Sequence, residues 1–394
     1  MSLSSAESLS IYASPILIVD DNDINRIFIE KTLRSRGFNR LLAVENGEAA
    51  LAVMEKFNPD LVILDIMMPV MDGFECCEKI RQMPHYKNLP ILIQTTLTEP
   101  KLRVKAFTHG ATDFVSKPIY PDELYARVMV HLEKRLLLQN LQHYKNRIEV
   151  ELESARQLQY AILPQPEEIT NVGQSCRLDI ASHFQPSSEI GGDFWGMKQL
   201  FPHQVALWMV DFSGHGVASA LNSFRLQAYL KEHSTLMARP GEYISHLNDK
   251  LLHLLLRGQF ATMFYGIIDT RGNKLFYTCA ASPHPIILRK STGKAEMING
   301  SGKPLGIAMH LYHTQTVDFY PGDTLLIYSD ALIETPGAEE EYITEEQIMK
   351  LLAAHPNATS AGIKDALIEH FRQHAQGTLG DDLTLAVCSR SFAH

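Results

Sequence analysis

Between Asp122 and Ile162 the chain contains no glycine, and the next proline is Pro164. A run of this length without a breaker predicts one α-helix, about 60 Å long at ~1.5 Å per residue. Such a helix is too long for one compact domain. It divides the 394-residue chain into a segment before it and a segment after it, and the length leaves room for a domain on each side. Leu137, Leu141, Tyr144, Ile148, Glu151, Ala155, Leu158 and Ile162 follow one another in alternating steps of four and three. That is a heptad seam with one flaw, Glu151. It predicts a parallel two-stranded coiled coil over residues 133–162, and so a homodimer. An amphipathic helix folded back on its own domain is the alternative. A marginal seam suits a switch better than a permanent staple.

The first segment spans residues 14–132, after a Ser-rich tail at 1–13 that lacks a signal-peptide pattern. Aliphatic runs at 16–19, 41–44, 61–64, 91–93 and 114–115 alternate with helical patterns at 24–36, 47–56, 74–81, 103–109 and from Asp122 onward. Five alternations predict an α/β doubly wound parallel sheet. In such sheets the site lies at the carboxyl ends of the strands. Asp20, Asp21, Asp65, Thr95 and Lys117 all fall there. Helix capping would explain three acids, but it would not also demand the threonine and the Lys-Pro pair.

Val19-Asp20-Asp21, Leu64-Asp65-Ile66-Met67-Met68-Pro69 with Asp72-Gly73, Gln94-Thr95-Thr96 and Asp113-Phe114-Val115-Ser116-Lys117-Pro118 resemble the two-component receiver family. The resemblance implies that Asp65 accepts a phosphoryl group. It implies Mg²⁺ held by Asp20, Asp21 and Asp65 with the carbonyl of Met67. It also implies that Thr95 and Lys117 bind the phosphoryl oxygens, that Phe114 is the aromatic switch, and that Lys117-Pro118 is cis. A sensor histidine kinase or phosphotransfer protein would then be the donor. The chemistry agrees, since a carboxylate that attacks phosphorus needs a cation beside it and a lysine for the product.

The second segment, 163–394, opens with Pro164 and Pro166 as helix breakers. Strand patterns occur at 178–184, 205–210, 262–268, 274–279, 285–288, 315–319, 324–328 and 383–387, with helical patterns at 220–233, 240–256, 345–354 and 360–374. Runs of strands with few helices between them predict packed, largely antiparallel sheets flanked by helices. Acids end the strand runs or sit in glycine turns beside them: Asp193 after Gly191-Gly192, Asp211 before Phe212-Ser213-Gly214-His215-Gly216, Asp330 after Ser329, and Gly380-Asp381-Asp382. Carboxylates that converge without cysteine or histidine at ligand spacing fit a hard cation. Paired hard cations suit phosphate-ester hydrolysis.

Together with Ala161-Ile162-Leu163-Pro164, Phe260-Ala261-Thr262-Met263-Phe264-Tyr265-Gly266 and Lys303-Pro304-Leu305-Gly306, these acids resemble the SpoIIE/RsbU branch of the PPM serine/threonine phosphatases. The resemblance implies an α-β-β-α sandwich with two Mn²⁺ or Mg²⁺ ions. Asp211 would bridge both ions and the Phe212 carbonyl would bind one. Asp330 and Asp381 would complete the other, and Asp193 would bind or orient water. Hydrolysis would proceed without a phosphoenzyme. Asp382 reads as a supporting acid. His215 reads equally as a general acid or a turn residue, His284 as structural, and Trp195 as core or lid. Two departures from the family pattern stand out. Gly196 replaces a frequent acid, and Ala331 replaces a usual glycine.

A net charge of −9 with no lysine/arginine run argues against nucleic acid as a partner. No apolar run approaches the ~18 residues of a membrane span. Five cysteines without a C-x-x-C pair argue against a disulfide framework or zinc site and fit a reducing cytoplasm. Receiver, helix and phosphatase together resemble response-regulator phosphatases of bacterial stress signalling, including RssB-type regulators. That resemblance implies a signal-gated phosphatase acting on a phosphorylated anti-sigma-factor antagonist of the STAS type. The rival reading is an adaptor that binds a sigma factor for regulated proteolysis, with a non-catalytic phosphatase-like domain. The acids favour the enzyme.

Overall fold

The computed structural model describes residues 11–95, 100–214, 216–231, 235–300, 302–337, 341–375 and 379–392. They fall into two units, Met1–Ile148 and Glu149–His394. His215 and Thr96 lie outside the described residues.

The first unit alternates β1 (Ile16–Val19), α1 (Asp23–Ser35), β2 (Leu41–Val44), α2 (Gly47–Phe57), β3 (Leu61–Asp65), α3 (Gly73–Gln82), β4 (Ile91–Thr95), α4 (Pro100–Thr108), β5 (Asp113–Ser116) and α5 (Pro121–Ile162). The strands form one parallel sheet in the order β2-β1-β3-β4-β5. β1 and β3 are buried along their whole length, which is why they read as unbroken aliphatic runs. Their side chains alternate between two cores. Leu17, Val19, Val62 and Leu64 enter one, and Ile16, Ile18, Leu61 and Ile63 the other. The strand order reverses between β1 and β3, and Val19 lies opposite Leu64. Asp20 and Asp65 therefore leave the sheet side by side. Helix starts are fixed by side-chain caps: Asn22 on α1, Asn46 on α2 and Asp72 on α3.

α5 has no separate linker element. Its first turns bury Leu124, Val128 and Leu132 in the first unit's core, and residues 133–162 continue the same helix. Along the heptad seam, Leu137, Leu141, Tyr144 and Leu158 are each more than 60% exposed in the single chain.

The second unit takes the end of α5, then α6 (Pro166–Cys176), β6 (Leu178–Gln185), β7 (Phe194–Phe201), β8 (Gln204–Phe212), α7 (Val217–Lys231), α8 (Pro240–Leu254), β9 (Ala261–Asp269), β10 (Lys274–Ala280), β11 (Ile286–Leu288), β12 (Ala295–Met297), β13 (Gln315–Asp318), β14 (Thr324–Tyr328), α9 (Ala331–Glu334), α10 (Glu345–Ala354), α11 (Ser360–His374) and β15 (Leu383–Arg390). Two antiparallel sheets result, β13-β10-β9-β8-β7 and β12-β11-β14-β15-β6. They share one core, which also takes Leu226 and Leu230 of α7 and Ile244, Leu247 and Leu251 of α8. Strands of the second sheet alternate cleanly. Leu325, Ile327, Ala386 and Cys388 face the first sheet, while Leu326, Tyr328, Leu385 and Val387 pack on α10 and α11. The unit is an α-β-β-α sandwich. All five cysteines are buried and free, and no described helix is long and apolar enough to cross a membrane.

Four elements differ from the sequence expectation. β7 is hidden in the sequence because it starts directly after Gly191-Gly192-Asp193 and so reads as site loop. β12 is three residues long and mostly exposed, so it carries no apolar alternation. Pro166 reads as a breaker, but it sits at the first turn of α6, where a missing N–H costs nothing. α9 is a single turn. Gly196 has a packing cause. It lies opposite Trp208 across β7–β8, and a Cβ there would enter the indole ring. The position that often carries an acid is filled here by Trp208, which stacks on Tyr265 at 6.4 Å between centroids.

Candidate functional site

At the carboxyl edge of the parallel sheet, one carboxylate oxygen from each of Asp20, Asp21 and Asp65 lies within 4.8 Å of the others. Asp20 and Asp65 are buried and Asp21 is exposed. Lys117 Nζ donates to Asp65 Oδ2 at 2.6 Å and to Asp20 Oδ2 at 3.2 Å. The other Asp20 oxygen accepts from the backbone N–H of Asn22 and from Asn25 Nδ2. Burial raises the Asp65 carboxyl above its ordinary value, against the pull of Lys117. Thr95 is buried at the end of β4, and its carbonyl accepts from Lys117 N–H at 2.8 Å. The Lys117–Pro118 bond is cis. Phe114 is half-buried, with Phe107 edge-on and the Arg127 guanidinium 5.0 Å from its centroid. Met67 lies two residues after Asp65 on an exposed loop. Gly73 is obligatory, because a Cβ there would collide with the Asp65 carbonyl. All-oxygen donors with one lysine fit Mg²⁺.

In the sandwich, Asp193 precedes β7, Asp211 lies near the end of β8 opposite Thr262, Asp330 comes directly after the Ser329 that ends the β14 run, and Asp381 precedes β15. Ser329 draws the last two together. Its N–H donates to the Thr384 carbonyl, its hydroxyl donates to the Asp382 carbonyl and also accepts from Thr384 N–H, all at 2.8–2.9 Å. The turn after Asp211 is tied by Ser213 N–H to the Phe260 carbonyl and by Phe260 N–H to the Ser213 hydroxyl. Asp330 heads α9 at the N-cap position. Ala331, where the family pattern has glycine, is accommodated in the buried first turn of α9.

Asp193 is 1% exposed, and its carboxylate oxygens face the Thr384 hydroxyl and the Asp211 carboxyl without a hydrogen bond of good geometry to either. Burial and the neighbouring Asp211 and Asp382 push its pKa far up. Burial, with Asp330 next in weight, lifts Asp211 to about 7. Burial and Asp381 lift Asp330 to about 6. Orphaned buried carboxylate oxygens among like charges are what a divalent cation would satisfy, and an all-oxygen donor set fits Mg²⁺ or Mn²⁺. No three side-chain ligand atoms of these acids lie within 4.8 Å of one another among the described residues.

Asp382 is buried with its acceptors occupied. Oδ1 takes the Ser187 N–H at 2.7 Å and hydroxyl at 2.9 Å. Oδ2 takes the N–H groups of Gly192 at 2.5 Å and Asp193 at 3.3 Å. It fastens the loop that carries Asp193. A Cβ on Gly191 would collide with that carboxylate, so this glycine serves close approach; its φ is not positive. Sequence reasoning missed two further holders of the loop. The Ser223 hydroxyl donates to the Gly192 carbonyl, and the Gln159 carboxamide binds both backbone atoms of Gly191. Neither carries a signal in the sequence, since both depend on a partner distant along the chain. Trp195 is core. His284 is half-exposed near Glu345.

Residues 16–129 match the response regulator receiver domain family, and residues 202–391 match stage II sporulation protein E (SpoIIE). This chain joins a receiver domain to a SpoIIE-type domain. The SpoIIE-type domain shares its fold with the SiaA-PP2C domain of Pseudomonas aeruginosa, at a TM-score of 0.55 and 18% identity over 64% of this chain and 98% of that one. Among curated proteins, the chain is 36% identical over 119 residues to the transcriptional regulatory protein YvrH of Bacillus subtilis, which is 30% of this chain and 49% of that protein. It is 36% identical over 120 residues to a probable cyclic di-GMP phosphodiesterase of Vibrio cholerae, which is 30% of this chain and 27% of that protein. The chain thus spans about a quarter to a half of the length of the curated relatives it matches.

The raised carboxyls have a consequence for stability. A carboxyl whose pKa is higher in the folded than in the unfolded state binds more protons when folded, so its stabilising contribution is present at low pH and is lost as pH rises. For Asp211 the window runs from its ordinary value near 3.8 to about 7. The chelated protein is expected to melt at a lower temperature at pH 8 than at pH 5.5, with a smaller decline in Asp211→Asn. Thermal melts in EDTA across that range check this, and saturating Mn²⁺ should reduce the decline.

Proposed function

We propose that this protein is a response regulator whose SpoIIE-type domain is a metal-dependent phosphoserine/phosphothreonine phosphatase under the control of its receiver domain. The observation that carries the reading is Asp193, buried beside the Asp211 and Asp382 carboxylates with no described lysine or arginine paired to it and no well-placed donor for its oxygens. Ordinary core packing does not retain such a group. Two Mn²⁺ or Mg²⁺ ions, when bound by Asp193, Asp211, Asp330, Asp381 and the Phe212 carbonyl, would activate water and offset phosphoryl charge. The chain's own part is to place those ligands. Asp382, Ser187 and Ser223 hold the Asp193 loop, Ser329 holds Asp330 beside Asp381, and Ser213 holds the turn after Asp211.

In the receiver domain, Asp65 is the phosphoryl acceptor. Asp20 and Asp21, with the Met67 carbonyl, would hold Mg²⁺, and Thr95 and Lys117 would meet the phosphoryl oxygens with Phe114 as the switch. The donor is a sensor histidine kinase or phosphotransfer protein. The substrate is a phosphorylated anti-sigma-factor antagonist of the STAS type in a cytoplasmic partner-switching pathway, with a sigma factor as a further partner. The adaptor reading is disfavoured because the acids are present and mutually strained.

Hydrolysis of p-nitrophenyl phosphate by the full chain should require Mn²⁺ or Mg²⁺ and fall at least about a hundredfold in Asp211→Asn. Wild-type rates in Asp211→Asn, at unchanged melting temperature, would remove the assignment. The exposed seam of α5 supports a parallel homodimer. Light scattering should give a dimer for the wild type and a monomer for Leu141→Glu with Ile148→Glu. An unchanged mass would mean that the seam is not the interface.

A further inference from the structure

Gln159 lies in the last turn of α5, and it is the one buried side chain in the sequence Arg156-Gln157-Leu158-Gln159-Tyr160. Its Nε2 donates to the Gly191 carbonyl at 2.7 Å, and its Oε1 accepts from the Gly191 N–H at 3.1 Å. It is 1% exposed. A carboxamide that exchanges both hydrogen bonds with one residue acts as a neighbouring antiparallel strand would. It fixes the position and the orientation of that peptide unit together. Gly191 is itself buried, and its N–H and carbonyl are satisfied by these two bonds.

The chain after Gly191 leads directly to the acids. Gly192 N–H and Asp193 N–H both donate to Asp382, and the Gly192 carbonyl is held by Ser223. The loop is thus held by three groups: Asp382 next to β15, Ser223 on α7, and Gln159 on α5. Two of them belong to the sandwich's own elements. The third comes from the helix that arrives from the first unit's sequence. Its end is also tied down by Gln227 Nε2, which donates to the Ile162 carbonyl at 3.0 Å.

We propose that Gln159 is a positioning residue for the metal site, through which the end of α5 sets the Gly191-Gly192-Asp193 loop and thereby the ligand geometry of Asp193. The inference rests on the phosphatase reading and deepens it by naming the residue at which the helix acts. Gln159 acts on Asp193 through two peptide units. A shift of α5 along its axis by one residue, about 1.5 Å, or its rotation by one residue, would break both bonds at once.

The test uses the full-length protein. Gln159→Met keeps the length and the apolar stem and removes both polar contacts. Gln159→Glu keeps the acceptor for the Gly191 N–H and loses the donor. Two quantities are measured: the Mn²⁺ concentration at half-maximal hydrolysis of p-nitrophenyl phosphate, and hydrogen exchange of peptides spanning residues 187–194. Gln159→Met should raise the Mn²⁺ requirement about tenfold to a hundredfold, with KM for the ester nearly unchanged, and should speed exchange in that segment. Gln159→Glu should keep the Gly191 amide slower to exchange than in Gln159→Met. A Gln159→Met protein that melts earlier but keeps the wild-type Mn²⁺ requirement and exchange would overturn the proposal, because the glutamine would then be packing only. If the wild type does not hydrolyse the ester with Mn²⁺, the phosphatase reading fails, and the exchange arm alone decides the clasp: unchanged exchange in Gln159→Met overturns it, and faster exchange sustains it.

Discussion

The second domain is built around a repulsion. Asp193, Asp211, Asp330 and Asp381 are brought to one edge of two stacked sheets, with Asp193 fully buried, and no described lysine or arginine pairs with Asp193, Asp211 or Asp330. Burying one unpaired ionised carboxylate already costs on the order of several kcal/mol, and like neighbours add to it. The contrast with the receiver domain is direct. There Asp20 and Asp65 share Lys117, so the site is largely compensated as it stands. In the sandwich, burial and like neighbours instead raise the carboxyls of Asp193, Asp211 and Asp330.

Repulsive groups stay together only if other contacts over-determine their positions. Those contacts are small and polar. Ser329 stitches β14 to the start of β15, Ser213 closes the turn after Asp211, and Asp382 uses both oxygens on the loop that bears Asp193. Glycine enters for clearance. Gly191 lets the backbone reach the Asp382 carboxylate, and Gly73 does the same against the Asp65 carbonyl. α5 adds the last support through Gln159. The element that carries a heptad seam in its middle therefore ends against the loop that bears Asp193.

Much of this was legible in the sequence for simple reasons. Strands buried on both faces, such as Ile16–Val19 and Thr324–Tyr328, are short aliphatic runs that nothing else explains. Helices with side-chain caps, such as Glu345–Ala354 after Thr344 and Ser360–His374 after Thr359, announce their own first residue. The acids were visible because each stands beside such a run. What stayed hidden depends on partners distant in sequence. β7 carries site residues at one end and Gly196 in its middle, and only the indole of Trp208 explains the glycine. Gln159 looks like any helical glutamine until Gly191 is placed against it. Pro166 is a breaker or a helix start depending on its next neighbours, and the pair Glu167-Glu168 was the overlooked sign of an N-terminal turn.

The central claim is that the phosphoryl state of Asp65 governs hydrolysis at the Asp211 site. Rates of phosphoserine-substrate turnover should be measured with and without beryllofluoride, in the wild type and in Asp65→Ala, at fixed Mn²⁺. Coupling free energies of this kind are typically about 1–3 kcal/mol. The account predicts that beryllofluoride changes the wild-type rate by about fivefold to 150-fold and leaves Asp65→Ala unchanged. Equal rates in all four conditions would contradict it.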